Sequence, residues 1–265
     1  MDKDLEEWRK RPLDEDYAVL YVDAQFHKVR EGGRVISKAV MTTAGVRESD
    51  GRREILSIET KEGETRQSWL SVFEGLKERG LHGVRIVVSD AHKGLMSAID
   101  QSFTGVLWQR CQAHFVRNAM DETPNRYKED VSKRMGRIFN AADKEEALRH
   151  KKALVEQYEK QATKLADFID EKVEDCLAVY EMPVQWRKRV RTTNMLERYH
   201  SEVRRRTRVV RIFPNEASLL RLVSAVGRDC SDEWIGSTMP YLPLVKSEAS
   251  DPIEKVNAQT GRCVL

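Results

Sequence analysis

Two short apolar runs constrain this chain more than anything else in it: residues 17–22 (YAVLYV) and 84–88 (VRIVV). Neither alternates strictly between polar and apolar positions, so both read as strands covered on two faces rather than one. The first stops at Asp23, and the second reaches Asp90 after Ser89. Between them, Gly32-Gly33 and Asp50-Gly51 are hairpin signals that bracket a segment rich in β-branched residues (34–46) and a second one (53–60). Three antiparallel strands in a meander are expected. Trp69, Val72, Phe73 and Leu76 then fall at helical spacing, with Gly80 placed to end that helix. Leu95, Met96 and Ile99 mark a short helix after the second apolar run, and residues 105–109 (GVLWQ) supply a third run. Strand, helix, strand, helix, strand implies right-handed parallel crossovers, which set these strands beside the first. The fold class is therefore α/β, with one mixed five-stranded sheet flanked by helices.

Residues 115–187 change character. Charged runs alternate with apolar positions such as Leu148, Val155 and Tyr158, and no glycine stands between Gly136 and Gly227. An all-helical insertion is expected, interrupted near its end by Pro183. A further helix starts near Asn194 with Met195, Tyr199 and Val203 on one face, and another covers residues 216–226 after Phe213-Pro214-Asn215. The expected division is an acidic leader (1–16), a core built from 17–114 and 191–245, a helical insertion (115–190) and a loose tail (246–265).

Composition removes several classes. With 40% hydrophobic residues the chain can bury a real core, yet no apolar run approaches the roughly 20 residues that cross a bilayer. The charged amino terminus is no signal peptide, and four widely spaced cysteines (Cys111, Cys176, Cys230, Cys263) make no disulfide framework. A soluble, cytoplasmic protein with reduced thiols and no membrane partner is expected. Neither a glycine-rich phosphate loop nor a G-x-S-x-G elbow is present, which argues against nucleotide switches and serine hydrolases.

Net charge is only +3, but between Arg187 and Arg211 ten basic residues face two acids, Glu197 and Glu202. Such a stripe suits a polyanion, and equally a solvated helix face. On a helix, Glu197, Ser201, Arg204 and Arg208 share one side, opposite Met195, Tyr199 and Val203. Asp23 and Asp90 end neighbouring strands, where open parallel sheets bind ligands, so both carboxylates are aimed at one crevice. Carboxylate oxygens there suit a hard divalent cation. Each acid also has a structural alternative: Asp23 as a turn former, Asp90 as an N-cap, and Glu197 as the partner of Asn194 in a capping box. Cys111 and His114 form half of a zinc site, with no second pair at usable spacing, so zinc is not expected.

Taken in order, YVDA around Asp23, SDAHKGL around Asp90, WQRCQAHFVRN around Cys111 and His114, TTNMLER around Glu197, and RRRTRVVRIFPNEASLLRL resemble the Mutator-type transposases of bacterial insertion sequences. The resemblance runs from about Glu7 to Leu244. It implies a ribonuclease H-like catalytic core with a DDE triad that falls on Asp23, Asp90 and Glu197, and a helical insertion ahead of the glutamate. The family's Cys-x-x-His signature falls on Cys111 and His114 as supporting residues. Met195 stands where these transposases usually have proline, and their region that recognises terminal repeats precedes the catalytic core, just before which this sequence begins. A truncated or split transposase is expected on that ground.

The implied chemistry is phosphoryl transfer on DNA with two magnesium (or manganese) ions, about 3.5 to 4 Å apart, held by the three acids. Arg198, Arg204, Arg205, Arg206 and Arg208 would bind phosphates of the inverted repeats and target DNA, and the protein would act as a homo-oligomer. A catalytically silent DNA-binding remnant and a structure-selective nuclease are the alternatives.

Overall fold

A computed structural model describes residues 2–245; the expected tail and Cys263 lie outside the described residues. After helix α1 (Asp2–Arg9), the chain lays down β1 (Tyr17–Glu31), β2 (Arg34–Arg47) and β3 (Arg53–Lys61), then α2 (Arg66–Glu78), β4 (Ile86–Ser89), α3 (Lys93–Ser102) and β5 (Leu107–Arg110). Helices α4 (Gln112–Asp121), α5 (Lys128–Phe139), α6 (Lys144–Tyr158) and α7 (Thr163–Lys172) follow. Short α8 (Val184–Val190), α9 (Asn194–Thr207) and long α10 (Glu216–Ile235) complete the described chain.

The five strands form one mixed sheet in the order β3-β2-β1-β4-β5. β1, β2 and β3 pair antiparallel, whereas β1, β4 and β5 run parallel. This is the meander followed by two crossover units that the hydrophobic runs require, and it is the ribonuclease H-like arrangement implied by the resemblance. Gly32 and Gly33 both have positive φ, at 56° and 77°, the conformation a two-residue hairpin turn demands of both central positions.

One boundary differs from the sequence reading. β1 does not end at Asp23 but runs on to Glu31, paired with β2 along its length. What ends near Asp23 is its other neighbour: the parallel register with β4 stops at Tyr21 opposite Val88. Beyond that point β1 has only an antiparallel partner, and its burial turns intermittent. Asp23 therefore stands at the carboxyl end of the parallel pair while lying inside a longer strand.

Both faces of the sheet are covered. Leu20, Val22 and Val87 pack with Trp69, Phe73 and Leu76 of α2 and Leu95 and Ile99 of α3. Val19, Tyr21 and Val88 point to the opposite side and join Met195, Tyr199 and Val203 of α9, Leu219 and Val223 of α10, and Trp186 and Val190 of α8. Each of these fully buried aliphatic side chains contributes about 1.5–3 kcal/mol by leaving water. A third cluster, from Phe115 through Val131, Leu154 and Ile169 to Leu177, belongs to α4–α7 and the turns after them. Among the described residues, no helix is long and apolar enough to cross a membrane.

Candidate active site

Strand alternation decides where Asp23 points. Val19 and Tyr21 face α9, so Asp23, two residues further, lies on the same side. One carboxylate oxygen accepts the Ala24 N–H at 2.9 Å, and the other lies 3.2 Å from Nδ1 of buried His200 on α9. His200 thus orients the acid.

Asp90 follows β4 directly. Its Oδ1 accepts the His92 N–H at 3.1 Å, closing a local turn, while the N-cap of α3 is His92 and carries no side-chain cap bond. The capping alternative for Asp90 is therefore replaced by a turn that holds the carboxylate at the strand end. Gly94 keeps this turn in place, because a Cβ there would stand 2.8 Å from the backbone nitrogen of Arg66. The start of α3 consequently abuts the start of α2 and brings Glu64 alongside, its Oε1 3.7 Å from His92 Nδ1. Burial, then the charge of Asp90, and further off that of Asp23, push the Glu64 carboxyl above its ordinary value.

Glu197 sits in the first turn of α9 and makes no capping box. Thr193 is the N-cap, and its side chain makes no cap bond; its hydroxyl instead donates to the Cys111 sulfur at 3.3 Å, alongside its backbone N–H at 3.4 Å. Glu197 Oε1 lies 3.6 Å from His114 Nε2 and 3.9 Å from the Arg117 guanidinium. Burial opposes ionisation of Cys111, but its contacts with His114 and Thr193 outweigh that and hold the thiol below its ordinary value. His114 is pushed up to about 9, chiefly by Cys111, with Asp23 and Glu197 adding to it. At neutral pH it is an imidazolium facing the glutamate.

These groups open on one cavity of about 650 Å³, lined by Asp23, Asp90 and Glu197 together with His114, Arg117, Arg198, His200 and Arg204, and by Asn194 and Ser201. Of the five arginines singled out in the sequence, Arg198 and Arg204 line it. Arg205 and Arg206 turn to Glu202, at 2.7 and 3.3 Å, and Arg208 is the C-cap residue beyond the helix. Arg117 and His200 were not singled out, although each follows a named residue, His114 or Glu197, by three positions on the same helix. Glu64 has no such signal, since it lies in a loop that only the packing of Gly94 brings near.

The donor set is all carboxylate oxygen, the chemistry that suits a hard divalent cation, and it is balanced by imidazole and guanidinium groups rather than by further acids. Among the described residues, no three His, Cys, Asp or Glu side chains lie close enough together to hold a metal ion.

A family model described as "Transposase, Mutator family" matches residues 1–237. The chain is 40% identical over 235 residues to the transposase of insertion sequence element ISRM5 of Rhizobium meliloti, covering 89% of this chain and 59% of that one. It is 41% identical over 245 residues to the IS256 transposase of transposon Tn4001 from Staphylococcus aureus, covering 91% of this chain and 62% of the relative. The transposase of IS406 from Burkholderia multivorans is 41% identical over 236 residues, 89% of this chain and 60% of that one. The chain thus spans about three fifths of the length of these relatives. With a family model matching nearly its whole length and relatives at this level of identity, the chain belongs to the Mutator family of transposases.

Proposed function

We propose that this chain carries the catalytic region of a DNA transposase that cleaves a strand at the end of an insertion sequence and joins the freed end to target DNA. One observation carries the reading: Asp23, Asp90 and Glu197, brought from a strand, a strand end and a helix, line a single cavity with Arg198 and Arg204 on its wall. Family membership supports the general class, a DNA-cutting and DNA-joining enzyme that uses a divalent metal.

Asp23, Asp90 and Glu197, which line one cavity without standing within one ion's reach of each other in this structure, are the residues that would close on magnesium or manganese, and the ion when bound would supply a Lewis acid for the phosphoryl oxygens and an acidified water. The rest falls to the chain. His200 and the Ala24 amide fix the rotamer of Asp23, and the His92 amide fixes Asp90. The His114 imidazolium and Arg117 lie beside Glu197 and offset the charge of three acids converging on one cavity. Arg198 and Arg204 bind backbone phosphates without reading sequence, positioning the scissile bond over the acids. Arg205, Arg206 and Arg208 serve phosphates further along the strand. Cys111, through Thr193 and His114, ties the end of β5 to the start of α9 and so sets the position of Glu197. The packing supports residues 115–177 as the inserted helical block, because Val179, Met182, Trp186 and Val190 join the cluster on the sheet instead. DNA ends and a second copy of the chain are the proposed partners.

The test incubates the purified chain with labelled DNA carrying the element's terminal repeat, with magnesium or with EDTA. Nicking that needs the metal and vanishes in Asp90→Asn is expected. DNA binding without any metal-dependent nicking would leave a silent DNA-binding remnant, and nicking indifferent to the repeat would indicate a structure-selective nuclease.

A further inference from the structure

On the far side of Asn194 and Arg198 from the acid cavity lies a second pocket, of about 250 Å³. Five basic residues line it: Arg53 from the start of β3, Lys188 and Arg189 from α8, Arg191, whose guanidinium donates to Asn140 Oδ1 at 2.9 Å, and Arg198; no acid does. Arg53 and Arg189 both stack on Tyr241, at 4.4 and 5.2 Å from its ring centroid. Two guanidinium groups converging on one ring without a carboxylate between them repel each other. Burial, and with it the charges of Arg198 and Arg189, hold the Arg53 guanidinium below its ordinary value, against the pull of Tyr241 and Tyr21.

A second feature of the pocket has an independent origin. Thr192, Asn194 and Met195 also line it, placing the first turn of the 14-residue helix α9 at its wall. First-turn amides have no partner inside a helix, and the one side chain placed to cap them, Thr193, is spent on Cys111. The first-turn amides of α9 and the guanidinium groups of Arg53, Arg189 and Arg198 together make a receptor for a tetrahedral anion. The basic residues of α8 partly complement that helix's own C-terminus, but this accounts neither for Arg53 nor for Arg198.

We propose that this pocket seats a backbone phosphate of a polynucleotide strand whose adjoining nucleotides occupy the acid cavity, with Asn194 and Arg198 as the shared wall between them. The proposal rests on the reading of the acid cavity as a DNA site. Its consequence is directional: a strand leaves the acids across the start of α9 towards β3 and α8, and the predicted stripe beyond Arg204 is not the whole of the phosphate track.

Fluorescence anisotropy of a labelled single-stranded oligonucleotide with the 265-residue chain, measured over a range of salt, tests this. The double variant Lys188→Gln, Arg189→Gln is expected to bind about tenfold more weakly near 0.1 M salt and to lower the slope of log affinity against log salt by about 1.4, two charges' worth for a single strand. The charge-conserving variant Lys188→Arg, Arg189→Lys should keep the wild-type slope, which separates charge from folding. Unchanged affinity and slope in the glutamine variant would overturn the pocket while metal-dependent nicking by the wild type leaves the transposase reading intact. The converse, a variant-sensitive slope with no nicking by the wild type, would sustain the pocket and sink the catalytic reading. A competition arm with inorganic phosphate separates the sources: if inorganic phosphate binds in a way the glutamine variant abolishes and the oligonucleotide does not displace it, the pocket takes a free anion and the proposal fails.

Discussion

The acid cavity and the helical block 115–177 are built on opposite electrostatic rules. In the block, charges are paired on the surface: Glu129 with Lys133 at 2.7 Å, Asp130 with Arg134 and the Tyr158 hydroxyl, and Lys151 with both Asp170 and Glu174. Beneath them runs a core of Phe115, Met135, Leu154 and Ile169. In the cavity, three acids share one wall space with His114, Arg117 and His200 as neighbours of two of them, while Asp90 has no such partner among the described residues and, after burial, raises the carboxyl of nearby Glu64. The block is arranged to be stable. On the proposed reading the cavity's acids serve a cation and a DNA strand, so they should be dispensable for folding in a way the block's apolar residues are not.

That contrast breaks if an acid in the cavity turns out to hold the fold together. Asp90→Asn keeps an oxygen to accept the His92 amide and removes only the charge. Nicking should fall by about a thousandfold or more, as expected when one member of a group acting as a unit is lost. Its melting temperature should equal or exceed that of the wild type, because Glu64 loses a repulsive neighbour. A clear drop in melting temperature would place Asp90 among the structural residues. The next largest effect belongs to the block. Leu154→Ala, at a fully buried position of α6, should cost about 2–5 kcal/mol in chemical denaturation. Nicking per folded molecule should stay unchanged, since Leu154 packs only within the third cluster.

Legibility in the sequence follows the same division. The sheet could be read because its order depends on two things a sequence displays, apolar runs and turn dipeptides; Tyr17–Val22 as a buried run and Gly32-Gly33 as a turn were sufficient for the meander. The end of β1 could not, because whether a strand continues past Asp23 depends on a partner, β2, long enough to accompany it. In the site, Asp23, Asp90 and Glu197 stood out by position at strand ends and on a patterned helix. His200 and Arg117 stood one helical turn away from named residues and were legible in principle. Glu64 was not, since its place depends on a close approach between α2 and α3 that Gly94 permits. The arginine stripe is contiguous in sequence, whereas a helix divides it between the cavity wall, lined by Arg198 and Arg204, and the side where Arg205 and Arg206 meet Glu202.

The smallest effect lies where the two rules meet, at His27. It sits on β1 past the acid, buried, with its ring 6.2 Å from that of Phe213, and its pKa is lowered to about 4 by burial first and then by the charges of His200 and Arg204. A histidine kept neutral in the fold, but with an ordinary value of 6.5 when unfolded, stabilises fully above pH 6.5. That contribution is lost as the pH falls from 6.5 towards 4, because the unfolded chain takes up the proton first. At pH 5 the loss should be about 1–2 kcal/mol relative to pH 7. His27→Phe should remove this part of the acid sensitivity, narrowing the difference between denaturation midpoints at pH 7 and pH 5, while leaving pH 7 stability nearly as it was. An undiminished difference in the variant would shift the source of acid sensitivity to the paired carboxylates of the helical block. Proton uptake would then be felt first where charges are matched, and the cavity's clustered charges would prove less costly to the fold than their arrangement implies.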